Sequence, residues 1–157
     1  MTIARRLKDY IAGKGINYDT VAHHRTATSS QTAQAAHVPG RRLAKSVLVH
    51  HEMGYTLAVV PSNHRVELNT LQDVIDRRLG LASEDEVSQL FSDCDIGAVP
   101  PVGAAYDVPV VLDESFDADG DVYFEAGDHK TLVHVKSDDF RNLLQGARVA
   151  RFSHPAF

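Results

Sequence analysis

The stretch from Val38 to Val60, VPGRRLAKSVLVHHEMGYTLAVV, constrains this chain more than any other, because it reads as a loop feeding a buried hairpin. Leu43 to Val49 is an apolar, β-branched run behind a Pro39-Gly40 turn, His50 to Gly54 supply a connection, and Tyr55 to Val60 return as a second apolar strand. Alternation puts Lys45 on one face with Val47 and Val49, and Ala44, Ser46 and Leu48 on the other. A lysine that shares a face with core residues needs a polar partner or a function.

The other segments take their places around that hairpin. Ile3, Leu7, Tyr10 and Ile11 recur at helical spacing ahead of Gly13 and Gly15, which predicts an amphipathic helix over 2–14. Tyr18 to Ala22 reads as an edge strand, and Ser29 or Ser30 can cap a short alanine-rich helix running toward His37. Beyond the hairpin, Val66 to Leu68 predicts a short strand. Asn69 then predicts the cap of a helix that carries Leu71, Val74 and Ile75 and is closed by Gly80. Ser83 and Glu86 have capping-box spacing ahead of a helix through Phe91. Gly97-Ala-Val-Pro-Pro-Val-Gly103 can be neither helix interior nor central strand, since its prolines remove backbone donors, so it must be a loop of defined shape. Val108 to Leu112, Val122 to Ala126 and Thr131 to Val135 read as strands, with an acidic turn over 116–121 and a Gly127 to Lys130 connection. Ser137 caps a last helix over 138–144, before a short tail. The sum is an α/β (α+β) domain spanning 1–157, a mixed, largely antiparallel sheet with helices packed around it.

With 43% apolar residues in 157, the chain can build its own core. No apolar run approaches the roughly 20 residues of a membrane span, and the N-terminal segment lacks an apolar signal-peptide centre, so the expected location is cytoplasmic, without a membrane partner. The single Cys94 cannot form an intramolecular disulfide. A net charge of −5 argues against a general nucleic-acid-coating protein and against DNA as partner. It leaves room for a local patch of Arg41, Arg42 and Lys45 that grips one end of a nucleic acid.

Nine histidines invite a metal hypothesis, but there is no HExxH and no His-x-His, and the adjacent pairs His23-His24 and His50-His51 point apart if extended. No metal and no cofactor is expected, and most of the histidines read as surface or loop residues. There is no G-x-S-x-G elbow for a serine nucleophile, and the Gly97 to Gly103 loop lacks the Gly-Lys-Ser/Thr ending of a phosphate loop. Its glycines can instead turn backbone N–H groups toward an anion or a developing oxyanion.

Three separated motifs carry a likeness: GRRLAKSVLV, the GAVPPVG loop with its Gly97-x-x-x-Pro101 core, and FEAGDHKTLVHV near the end. Their order resembles the YbaK/prolyl-tRNA synthetase-associated editing domain family over roughly His23 to Leu144. The resemblance implies an aminoacyl-tRNA deacylase that uses no metal. Because synthetase domains are missing here, it implies a freestanding, trans-acting editor of mischarged tRNA, bound by its acceptor end and delivered, in some relatives, with a synthetase as partner. Carried over residue by residue, Lys45, Gly97 and His129 become the expected catalytic residues. Arg42, Ser46, Ala98, Val99, Pro100, Pro101, Gly103 and Gly127 become the expected substrate-binding residues. The amino acid removed is expected to be small, alanine, serine or cysteine, and the tRNA to be tRNA(Pro). The stretch between His24 and Ser30 helps shape the pocket in relatives and transfers no specificity here. Two other classes remain open at this stage: a tRNA- or nucleotide-binding module without turnover, and a metal-dependent hydrolase.

Overall fold

The computed structural model describes residues 3–26 and 28–156. Leu7 and Ile11, one helical turn apart, are fully buried. They set the inner face of α1 (Arg5–Lys14), which stops where Gly15 adopts a left-handed φ of 65°. Thr2, at the start of the expected helix, lies outside the described residues. β1 (Asp19–Ala22) follows as an edge strand. α2 (Ser29–Ala35) is capped by Thr28, whose hydroxyl accepts the Gln31 N–H at 3.2 Å, so the cap is one residue earlier than expected.

The hairpin forms as β2 (Leu43–His51) and β3 (Gly54–Pro61), in register from Ala44↔Pro61 to His51↔Gly54. β4 (His64–Val66) leads into α3 (Leu68–Ile75). This helix starts just before Asn69 and ends at Asp76, in the left-handed region at φ 62°, rather than at Gly80. Gly80 opens β5 (Gly80–Leu81) instead, because a Cβ there would press on the His50 ring. α4 (Glu84–Leu90) has the capping box of Ser83 and Glu86. The loop beyond runs through a 3₁₀ turn over Gly103–Tyr106 to β6 (Val110–Asp113), β7 (Asp121–Glu125), β8 (Thr131–Lys136) and α5 (Ser137–Leu143). Ser137 is the first residue of α5 rather than its cap, which falls on Lys136. The tail makes two short strands, β9 (Arg148–Ala150) and β10 (Ser153–Pro155), fastened where the buried Asp113 accepts the Phe152 N–H at 2.9 Å.

The main sheet runs β1-β8-β7-β2-β3-β6-β9, with β5 on β2, and a small second sheet pairs β10 with β4. β2–β7, β3–β6 and β6–β9 are parallel, and the remaining pairs are antiparallel. The fold of the described residues is therefore a mixed, mostly antiparallel sheet with five α-helices against it. Ala44 and Leu48 belong to the larger core with Phe91, Phe124 and Phe140, while Val49, Ala58, Val60 and Leu71 form a second core on the opposite face. Leu43 joins a third cluster with Ala33, Val38 and Leu132, which is what seats α2. Lys45 shares a face with both smaller clusters. Among the described residues no helix is long and apolar enough to cross a membrane.

Candidate active site

β2 and β7 run together only briefly. Their parallel register holds Leu43↔Tyr123 and Ala44↔Phe124, and further along β2 pairs instead with β5 at Val49↔Leu81 and His50↔Gly80. Residues 45–47 thus have no strand on that edge among the described residues. Backbone groups alternate in direction along a strand: the Leu43 carbonyl accepts the Ser62 N–H on the β3 side at 2.8 Å, and the Leu48 carbonyl accepts the Ala82 N–H on the opposite side at 3.0 Å. The N–H and C=O of Ser46, in step with Leu48, therefore turn into the gap. A cavity of about 120 Å³ occupies this fork. It is several times what one water needs and well below the roughly 300–1,000 Å³ of a drug-sized site, so it suits a small group.

The cavity brings together Lys45, Ser46, Gly97, Val99 and His129 from the residues singled out in the sequence. His129 is buried with φ 63°, and its Nε2–H donates to the Ile96 carbonyl at 2.5 Å. Gly97 has φ 87°, and a Cβ on it would lie 2.9 Å from His129 Cε1, so only glycine fits against that ring. Within the loop the Ala98 N–H donates to Asp95 O at 3.1 Å and the Gly103 N–H to Pro101 O at 3.0 Å. The prolines have no N–H, and the Gly97, Val99 and Val102 amides have no protein acceptor among the described residues; of these three residues, Gly97 and Val99 line the cavity. The Ser46 hydroxyl is buried and has no hydrogen-bond partner among the described residues.

Lys45 also lines the cavity, and its Nζ donates to the His64 carbonyl at 2.8 Å. Burial, with the Arg65 charge nearby, holds the amine below its usual pKa. One of its three donors is committed to His64, and two remain available.

Other expected residues lie elsewhere. Arg42 donates to the Asp121 carbonyl at 3.1 Å and pairs with Asp117 at 3.4 Å, which ties it to the acidic turn, and Arg41 reaches the same Asp117 at 3.8 Å. Ala98, Pro100 and Pro101 are buried in the loop and do not line the cavity. A Cβ on Gly103 would sit 2.3 Å from the Val108 carbonyl, and one on Gly127 would sit 3.0 Å from Ala4 Cβ, so these glycines permit close backbone packing outside the cavity.

Sequence reasoning passed over Glu125 and His23. Both are buried, at 8% and 9% exposure. Glu125 Oε1 lies 3.2 Å from His23 Nε2, and Glu125 Oε2 lies buried without a partner among the described residues. Burial pushes the Glu125 carboxyl up to about 7, Asp128 adds to that, and His129 opposes it. The signal was available, because Glu125 is a charged residue inside an apolar strand, as Lys45 is. Thr28, the cap of α2, Thr32 within it, and Ile96 also line the cavity. Ala27, within the stretch between His24 and Ser30, lies outside the described residues.

Comparison with known proteins places this geometry in context. The model of a family described as the aminoacyl-tRNA editing domain matches residues 23–143. The crystal structure of a protein provisionally described as a trans-editing enzyme for prolyl tRNA synthetase is similar with a TM-score of 0.84 and 27% identity, over 96% of this chain and 96% of that one. A computationally designed epitope-grafting scaffold is similar with a TM-score of 0.85 and 27% identity, over 96% and 97% of the two chains. A hypothetical protein shares the fold with a TM-score of 0.83 at 23% identity, over 96% of this chain and 100% of that one. No curated protein sequence matches.

Proposed function

Since the chain belongs to the aminoacyl-tRNA editing domain family, we propose that it is a deacylase acting in trans on mischarged tRNA that carries a small non-cognate amino acid, alanine, serine or cysteine, on tRNA(Pro). The observation that carries this reading is the small cavity in the β2–β7 fork, edged by the free amides of Gly97 and Val99. A synthetase gains only about 1–3 kcal/mol per methylene against a smaller substrate, so a second site that admits only the smaller residue is needed to correct its errors.

In this reading the acceptor end of the tRNA lays its ester across the mouth of the fork. Water attacks the ester carbonyl, the tetrahedral oxyanion is held by the Gly97 and Val99 N–H groups and by Lys45, and the C–O bond to the ribose breaks with the proton delivered to the leaving ribose oxygen. His129, fixed through Nε2, presents Nδ1 as an acceptor that orients the water. An activated ester needs no covalent nucleophile. The chemistry invokes no metal, and a synthetase partner would serve to deliver the substrate. Cytoplasmic tRNA is the expected substrate pool.

Initial rates on Ala-, Ser-, Cys- and Pro-tRNA(Pro), with chelator present, test the proposal. Release of one or more small residues with Pro-tRNA(Pro) intact is the expected result. Equal hydrolysis of Pro-tRNA(Pro) would contradict the size argument, and tRNA binding without any turnover would make the protein a binding module.

A further inference from the structure

The cavity is lined by an ionisable group that the hydrolytic scheme does not use. Glu125 ends β7, is 8% exposed, and offers Oε1 to His23 while Oε2 meets no protein donor among the described residues. The hydrogen bonds on His23 define where a proton can sit. Its Nδ1 lies 2.7 Å from the His24 carbonyl, which only accepts, so Nδ1 carries a hydrogen. The contact from Nε2 to Oε1 then contains a single proton, held either by a cationic imidazole or by a neutral carboxylic acid. In neither case does His23 serve Oε2. A buried carboxylate oxygen without a donor is costly, and the cost is removed when a cation or donor enters the cavity.

We infer that Glu125 Oε2 is the subsite for the α-ammonium of the aminoacyl group. This rests on the deacylase reading for its substrate class and adds what is read at the acyl end. The ammonium is the one cationic group at the acyl end that every aminoacyl ester brings whatever its side chain, and it lies one carbon from the ester carbonyl that the deacylase reading sets against the Gly97 and Val99 amides. A carboxyl pushed up to about 7 in the empty site is readily drawn into its ionised form by an arriving cation. Glu125 therefore distinguishes a free aminoacyl ester from one whose nitrogen is blocked or absent, whereas the walls of the cavity distinguish by size.

The test uses an adenosine bearing alanine on the ribose through an amide in place of the ester, and the same compound with lactic acid in place of alanine. Calorimetric binding of both to the wild type and to Glu125→Gln is measured beside turnover of Ala-tRNA(Pro). Glutamine keeps the shape and a contact to His23. The wild type is expected to bind the alanyl compound roughly ten- to a hundredfold more tightly than the lactyl one, the range of a charge-assisted hydrogen bond, and Glu125→Gln is expected to erase the preference by weakening only the alanyl compound. Equal binding of the two compounds by the wild type, binding of neither, or an equal loss of both in Glu125→Gln overturns the inference. Absence of turnover with the alanyl preference intact overturns the deacylase reading and leaves the ammonium subsite standing.

Discussion

The start of β2 and the end of β7 flank the same cavity, and each sets a charged side chain into an apolar strand, with opposite outcomes. Lys45 has a protein partner, the His64 carbonyl, and keeps donors in reserve. Glu125 has one oxygen on His23 and the other buried with no donor to accept from among the described residues. A lysine can bend its long stem toward water or a carbonyl, whereas a short carboxylate at a strand end stays where the backbone puts it. The lesson is that a charged residue in an apolar run marks a site most strongly when its side chain is too short to leave.

Replacing Lys45 by alanine should give the largest effect, a loss of about 10²–10³ in kcat/KM on a small-residue substrate with the circular dichroism spectrum unchanged, because the proposed mechanism makes its amine an oxyanion donor. A loss below tenfold would show that Lys45 only satisfies His64. Gly97→Val comes next. Its Cβ meets His129 and its φ is 87°, so turnover should fall roughly ten- to a hundredfold and stability by about 1–3 kcal/mol, read by denaturant titration.

On the Glu125 side the effect is on stability and depends on pH. The folded carboxyl titrates at about 7 against an ordinary value of 4.5, so its contribution to stability is fully present below about pH 4.5 and is lost as pH rises through 7. Glu125→Gln should therefore match the wild type at pH 4.5 and exceed it at pH 8 by up to about 3 kcal/mol, measured as a shift of the urea midpoint. A variant less stable than the wild type at pH 8 would mean that the His23–Glu125 pair is held as an ion pair. The smallest effect belongs to Arg42→Ala, which breaks contacts with Asp117 and Asp121 beside the start of β7. Stability should fall by about 1 kcal/mol or less and turnover should stay within twofold. A tenfold loss of turnover in a folded Arg42→Ala would place the tRNA backbone on that turn.

Much of the fold was legible in the sequence because its signals are local. The hairpin, the Ser83–Glu86 capping box and the strands around Gly127–Lys130 each follow from spacing within a few residues. What could not be read was set by distant partners: Gly80 as a strand residue rather than a helix end, because it pairs with His50, and the tail strands β9 and β10, which exist only on β6 and β4. The site divides the same way. Lys45, Ser46, Gly97, Val99 and His129 line one cavity, but the fork itself comes from the short β2–β7 pairing, and no pattern along one strand encodes where two strands diverge. Glu125 and His23 meet between the end of β7 and the residue after β1, two segments far apart in sequence, which no local pattern encodes.

The central claim is that hydrolysis takes place in the fork, and filling it tests this most directly. Ser46 lines the cavity and its hydroxyl has no hydrogen-bond partner among the described residues, so Ser46→Leu occupies the space without removing a known contact. Release of alanine from Ala-tRNA(Pro), measured for the wild type and for a folded Ser46→Leu, should fall at least about a hundredfold, the scale expected when the reacting group is displaced by an ångström or more. Unchanged release of alanine with the cavity filled would contradict the account and move the chemistry elsewhere on the molecule.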